Sequence, residues 1–173
     1  MSAMLFGKLP AHGDFVARGL DPDSRDALDI WLSAEMAGAR ATFPSDFEHR
    51  YDHAPPWRFA VEDEAGWVCG AIAPSADQAG RRFPLLVARV ADAADAVPGL
   101  AAACEQALAE TFAGGWNADR LQERLLTLGA EAEEVPPRQG WWTVHGAAEA
   151  PRLAGDRPEG LLAAMLADKE PAE

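Results

Sequence analysis

The side chains best suited to chemistry lie on two loops shaped by glycine and proline. The first loop spans residues 7–16 with the sequence GKLPAHGDFV, and the second spans residues 74–85 with the sequence PSADQAGRRFPL. Glycine can adopt positive φ and proline fixes φ, so each loop has a specified shape. Loops on a rigid scaffold commonly carry function. The candidate residues are Lys8, His12, Asp14, Ser75, Asp77, Arg81 and Arg82.

These residues leave three interpretations open. In a small hydrolase, His12 would act as a base oriented by Asp14, with Ser75 as nucleophile, although no Gly-x-Ser-x-Gly motif supports this. In a sensor, Arg81 and the adjacent Arg82 would close on a small anionic ligand. In a structural role, which we favour for Asp14 and Asp77, the carboxylates accept hydrogen bonds from loop amides, and Asp77 pairs with Arg81 to close its own loop.

Metal and cofactor sites are not expected. The histidines at positions 12, 49, 53 and 145 are scattered, and no His-Glu-x-x-His pattern surrounds the pair at 49 and 53. The Gly-Lys pair at residues 7–8 lacks the spacing of a phosphate-binding loop. Glycines 13 and 80 alone do not indicate a dinucleotide site. The sequence therefore predicts no metal ligands and no cofactor.

Composition restricts the partners and the compartment. The net charge is −13 with a pI near 4.6, which disfavours nucleic acid and anionic membranes as partners. Cys69 and Cys104 lie in apolar stretches outside any Cys-x-x-Cys pair, which indicates free buried thiols and a reducing compartment. No signal peptide and no apolar run of roughly 20 residues is present. We therefore expect a cytoplasmic protein without membrane insertion.

Hydrophobic periodicity predicts the elements that position the loops. Strands are expected at residues 3–6, 57–61, 67–73, 85–90 and 141–145, with a hairpin turn at 63–66. A first helix is expected at residues 25–41 with Ser24 as its N-cap, followed by a short helical turn within 44–52. Three further helices are expected: one at about 100–112, one that contains Leu121, Leu125 and Leu128, and one from Pro158 onward. Together they predict a layered α/β/α sandwich at the border with α+β. Its mixed sheet would have about five strands and a central antiparallel hairpin.

The predicted domain covers residues 1–167, and residues 168–173 are expected to be a frayed tail. Within it, the pair Trp141-Trp142 forms part of a strand, so the two rings should point to opposite faces. An exposed Trp142 would suit a protein contact, because tryptophan is enriched at binding hot spots. The alternative is that the last helix covers both rings.

The chain resembles the TagF family, which is associated with bacterial type VI secretion. The resemblance rests on residues 7–10 with 13–16, on Trp-Arg-Phe at 57–59, and on a distinctive segment at 74–85. It also rests on the tryptophan pair at 141–142. The motifs occur in the family's order over most of the chain. Gln78 stands where the family often has arginine, and Arg82 stands where an aromatic residue is common, so partner choice would differ here if those positions contact a partner.

The resemblance implies a function as well as a fold. TagF proteins are cytoplasmic, have no known chemistry of their own and hold type VI secretion in check after translation. Characterised members bind a forkhead-associated-domain scaffold protein of the apparatus. The expectation is therefore a non-enzymatic binding module that represses secretion by occupying that scaffold. The two loops would form or border the contact surface, with an α/β layered sandwich beneath them.

Overall fold

A single antiparallel sheet forms the middle layer of the protein. The computed structural model describes residues 2–134, 136–145 and 152–167. The strands are β1 (Ala3–Gly7), β2 (Val16–Arg18), β3 (Trp57–Asp63), β4 (Gly66–Ala73), β5 (Leu85–Ala91) and β6 (Gly140–Trp142). Their order is β2-β1-β5-β4-β3-β6, and all neighbours are antiparallel.

Helices cover both faces of this sheet. They are α1 (Pro22–Thr42), α2 (Phe47–His53), α3 (Val97–Gly114), α4 (Ala118–Leu126) and α5 (Leu161–Ala167), with a short 3-10 turn at Ala94–Ala96. One buried cluster packs α3 and α4 on the sheet, and a second packs α1, α2 and α5 on the opposite face. The predicted layered sandwich is confirmed, on the α+β side of the border.

The sheet itself differs from the expected mixed sheet of about five strands. It has six strands and no parallel pair among the residues that the structure describes. Long helical segments between strands usually signal parallel crossovers, but here the strands that the helices connect, β2 with β3 and β5 with β6, are not neighbours in the sheet, and every neighbouring pair is antiparallel. The additional strand β2 has only three residues, too few for a period-two pattern to be recognised.

The element ends follow local capping chemistry. Helix α1 begins at Pro22 because Asp21, rather than the expected Ser24, is the N-cap: its Oδ1 accepts a hydrogen bond from the Ser24 amide at 2.7 Å. Asn117 caps α4 by accepting a hydrogen bond from the Arg120 amide at 2.9 Å. The expected last strand is shorter than predicted, since β6 ends at Trp142.

Cys69 and Cys104 are fully buried free thiols, as predicted, and burial raises the pKa of Cys69 to about 12 and the pKa of Cys104 further still. They are therefore protonated and unreactive at neutral pH.

The assignment of residues 1–167 to one domain stays a prediction, and the expected tail at 168–173 lies outside the described residues.

Candidate functional site

The two loops meet at one end of the sheet. Gly7 at the end of β1 and Ala73 at the end of β4 both pair with Leu85 at the start of β5. The register therefore brings the loop after β1 beside the loop between β4 and β5. We call residues 8–15 and 74–84 together the loop surface.

Hydrogen bonds join the two loops into one unit. The Gln78 amide donates to the His12 carbonyl at 2.7 Å. The Ser75 hydroxyl donates to the Lys8 carbonyl at 2.7 Å, and Arg81 Nη2 donates to the Gly13 carbonyl at 2.8 Å. Because backbone groups of both loops take part, neither loop can move far without the other.

Asp77 is the centre of this unit. Its Oδ1 accepts from the amides of Ala79 and Arg81, each at 3.0 Å. Its Oδ2 accepts from Arg81 Nε at 2.7 Å and lies 3.3 Å from Lys8 Nζ. The carboxylate therefore holds its own loop closed and ties that loop to the first one. This arrangement is the loop-closing contact that the sequence favours for Asp77.

The ionised form of Asp77 is strongly favoured. Burial of this side chain, only 3% exposed as a residue, opposes ionisation. The hydrogen bonds from the Arg81 amide, Lys8 and the Arg81 side chain outweigh that cost and lower the pKa of Asp77 to about 2. Lys8, itself buried, also lies over the Phe15 ring at 4.8 Å. An ion cluster of this kind, built around a buried and fully paired carboxylate, shapes the loops rather than offering a free reactive group.

Ser75 is anchored on both sides by Tyr51 of α2. The Tyr51 hydroxyl donates to the Ser75 carbonyl at 2.9 Å and accepts from the Ser75 amide at 3.1 Å. Burial raises the pKa of Tyr51 well above its ordinary value, so the hydroxyl stays protonated and keeps its donor. The sequence does not reveal this contact, because the two residues are 24 positions apart and no local pattern links them.

Replacing Tyr51 by phenylalanine tests that anchor. The change keeps the buried ring but leaves the Ser75 amide without its partner. An unpaired buried donor costs about 1–3 kcal/mol, so the free energy of unfolding should fall by that amount. Urea denaturation followed by tryptophan fluorescence measures it. An unchanged midpoint would contradict the anchoring role.

His12, Asp14 and Ser75 do not form a catalytic arrangement. His12 Nε2 accepts from the Ala118 amide at 3.0 Å, at the start of α4. Asp14 is exposed and accepts from the adjacent Phe15 amide at 2.7 Å. The Ser75 hydroxyl is committed to the Lys8 carbonyl. Within the described part of the chain, no hydrogen bond joins any two of these three side chains, so the geometry gives the hydrolase interpretation no support.

The two arginines point to different acidic partners. Arg81 forms an ion pair with Asp77, whereas Arg82 forms a bidentate ion pair with Asp52, in which both N–O distances are 2.8 Å. The hydrogen bond from Arg82 lowers the pKa of Asp52, and Glu48 lies 3.7 Å from the same guanidinium. Arg82 thus links the second loop to α2. The guanidinium groups do not converge on an open anion site.

The tryptophan pair points to opposite sheet faces, as predicted. Trp141 is buried and stacks on Phe59 with ring centroids 4.4 Å apart. Trp142 is partly buried against the cluster formed by α3 and α4, and the Arg152 guanidinium lies 4.3 Å above its ring. Trp142 lies on edge strand β6, away from the loop surface.

The exposure and packing of the Phe15 ring are also not predictable from the sequence pattern. Its ring is 43% exposed, yet it is held against Phe83 with centroids 4.8 Å apart and stacks at 6.0 Å from Phe6. The Lys8 ammonium covers part of the same ring. A rigid, half-exposed aromatic ring thus stands next to the exposed Asp14, inside the motif that the sequence singles out.

No helix in the described ranges is both long and apolar enough to cross a bilayer. Across those ranges, no group of three or more His, Cys, Asp or Glu side chains is placed to hold a metal ion.

Comparison with known proteins identifies the family. A sequence profile of the TagF N-terminal domain, described as type VI secretion system-associated, matches residues 4–128. The chain belongs to this family. The matched range contains both loops and the whole Asp77 cluster, so the loop surface lies within the TagF domain.

A solved structure supports the TagF assignment at the level of the fold. The crystal structure of PA0076 from Pseudomonas aeruginosa PAO1 at 2.05 Å resolution superimposes with a TM-score of 0.61 and 25% sequence identity. The alignment covers 96% of this chain and 77% of PA0076. A search of curated proteins found no match.

Proposed function

We propose that this TagF-family chain is a non-enzymatic, cytoplasmic repressor that restrains type VI secretion after translation by binding a forkhead-associated-domain scaffold protein. The observation that carries the proposal is the family match over residues 4–128, which connects the chain to type VI secretion. The architecture of the loop surface agrees with a binding role, because its polar side chains hold the two loops in a fixed shape and do not form a reactive group.

The loop surface offers a contact of suitable chemistry. Phe15 presents a rigid aromatic ring, and the Arg81 side chain is 64% exposed despite its bond to Asp77. Asp14 is exposed beside them. Aromatic and arginine side chains that are held in place lose little conformational entropy on binding and are typical of interface hot spots. We infer that Phe15 is the apolar anchor of the contact and that Asp14 and Arg81 surround it.

Phe15→Ala should weaken binding to the scaffold by about tenfold or more, since hot-spot truncations cost about 2 kcal/mol. Isothermal titration calorimetry of the purified chain against the forkhead-associated-domain protein of the same apparatus measures this. The matched control is Ile30→Ala, which removes a side chain that is 73% exposed on α1.

Ile30→Ala should bind like the parent, and both variants should keep the parent's circular dichroism. A parent chain that does not bind the scaffold would refute the proposed function. Equal loss of affinity in both variants would refute the assignment of the contact to the loop surface. In cells, overproduction of the chain should reduce secretion by the apparatus, and overproduction of Phe15→Ala should not.

A further inference from the structure

A second concave surface lies at the sheet end opposite the loop surface. It is formed between the first turns of α1 and the ends of β3 and β4 that are farthest from the loops. Its volume is about 280 Å³. We call it the apolar groove, and its principal lining residues are Leu28, Trp31, Phe59, Val61, Val68 and Trp141.

The groove lies between α1 and the sheet, and α5 fixes the position of α1. Helix α1 packs chiefly on α5, and the buried Glu35 fixes that contact. The Glu35 carboxylate accepts from the Gly160 amide at 3.1 Å and from the Leu162 amide at 3.0 Å. The contact with α5 therefore fixes the position of α1, and none of the residues that line the space beneath its first turns belongs to another described helix.

The aromatic walls are rigid and offer only apolar contact. Trp31 and Trp141 meet edge to face with centroids 5.5 Å apart. Each ring nitrogen already donates within the chain, Trp31 Nε1 to the Pro158 carbonyl at 3.3 Å and Trp141 Nε1 to the Gly155 carbonyl at 3.2 Å. An occupant would therefore gain from burial of apolar atoms and not from hydrogen bonds to these rings.

The rim of the groove is mainly acidic. Asp63 and Asp156 line it and are exposed, and Arg157 is the one basic residue among its lining residues. The neighbouring turn adds Glu64, also exposed, and the chain as a whole carries a net charge of −13. The electrostatic potential at the rim of the groove is therefore negative, so it attracts cations and repels anionic ligands.

Size and charge together define the occupant. A volume of about 280 Å³ is at the low end for a whole small-molecule site and suits one bulky side chain. We propose that the apolar groove is a second docking site, which takes a leucine or aromatic side chain of a partner protein from a segment flanked by lysine or arginine. This site stands apart from the loop surface and does not depend on the scaffold contact proposed above.

Selection from a random peptide library displayed on phage, against the immobilised full chain, tests the proposal without a known partner. The enriched peptides should carry a leucine, phenylalanine or tryptophan within about three positions of lysine or arginine. The tightest binder is then synthesised and titrated in solution. Its affinity should fall as salt is raised, because exposed charges at the rim contribute.

Two pairs of variants locate that binding. Val61→Phe narrows the groove at a strand position that favours aromatic residues, and it should weaken the peptide at least tenfold. Its control is Ile30→Phe, which adds the same ring at a position outside the groove lining and should leave the affinity unchanged.

Asp63→Asn with Asp156→Asn removes two rim charges, and the asparagine at position 63 keeps an acceptor for the Ala65 amide. This double variant should weaken the peptide severalfold. Glu48→Gln with Glu123→Gln, an equal charge change on α2 and α4, should not. The proposal is overturned if no peptide is enriched, if the enriched peptides are acidic or lack an apolar anchor, or if Val61→Phe and Ile30→Phe bind equally well.

Discussion

Replacing Asp77 by alanine is expected to lower the melting temperature by about 5–10 °C. The substitution removes the acceptor of the Ala79 and Arg81 amides and leaves the Lys8 ammonium buried without its counter-ion. Breaking a buried ion pair from one side is far more costly than losing a surface pair, because an uncompensated charge remains. Differential scanning calorimetry of the parent and Asp77→Ala measures the shift.

Two control variants identify the cause of that loss. Asp14→Ala removes an exposed carboxylate with one local hydrogen bond, so the melting temperature should change by less than about 2 °C. Adding Lys8→Met to Asp77→Ala removes the stranded cation and should recover part of the lost stability. If Asp77→Ala melts like the parent, the carboxylate does not hold the loops together.

The same cluster predicts a pH dependence. The pKa of Asp77 in the folded protein, about 2, lies below its ordinary value of 3.8, so ionisation of this group stabilises the fold. That contribution is complete above the unfolded pKa and is lost as pH falls from about 4 through about 2. Between pH 5 and pH 2, the parent should therefore lose more stability than Asp77→Asn, which has no charge to lose. Parallel pH profiles of the two proteins would contradict this.

Gly7→Ala should have the largest effect of any single substitution considered. Gly7 has φ +139°, and a Cβ there would overlap the carbonyl oxygen of Pro84 on the neighbouring loop. Because Gly7 also pairs with Leu85 and Val16, the backbone has no direction in which to relax. Strain and overlap at such a position exceed the ordinary range, so the loss should reach about 4–5 kcal/mol. The soluble yield and the denaturation midpoint measure it.

The other loop glycines form a graded control. Gly80 has φ +80° but open space around a Cβ, so Gly80→Ala should cost only the backbone strain, about 1–2 kcal/mol. Gly13 needs no positive φ, and a Cβ would meet only Gln78 Oε1 at 3.8 Å, so Gly13→Ala should be close to neutral. A Gly7→Ala protein as stable as Gly13→Ala would show that Gly7 and Pro84 of the two loops do not approach each other this closely.

Local sequence patterns predicted the elements well where the pattern was long. The hairpin from β3 to β4, the central strand β5 and helices α1 and α3 all lie where periodicity places them. Their apolar spacing is repeated over several residues, so it determines both the element type and the buried face. The motifs on residues 7–16 and 74–85 likewise indicated the family before any fold was known, because glycine, proline and charged residues at fixed offsets are rare by chance.

The strand pairing was not predictable in the same way. Whether β1 pairs with β5 in a parallel or an antiparallel direction depends on the path of the chain between the two strands. The residue types within either strand do not determine this direction. Strand β2 was hidden by its three-residue length. The role of Tyr51 depends on a hydrogen bond to a residue 24 positions away, which a local pattern cannot contain.

The sequence alone determined the TagF resemblance, the acidic charge, the free cysteines and the presence of two bent, charged loops, because each of these depends on residue type and short spacing. Only the tertiary structure decided that Lys8 and Arg81 both pair with the buried carboxylate of Asp77 and that Arg82 pairs with Asp52. It also decided that His12 and Ser75 bond to backbone groups instead of to each other. The physical reason is the antiparallel register of β1, β4 and β5, which sets the distance between two loops that are far apart in the sequence and so determines which charges neutralise one another.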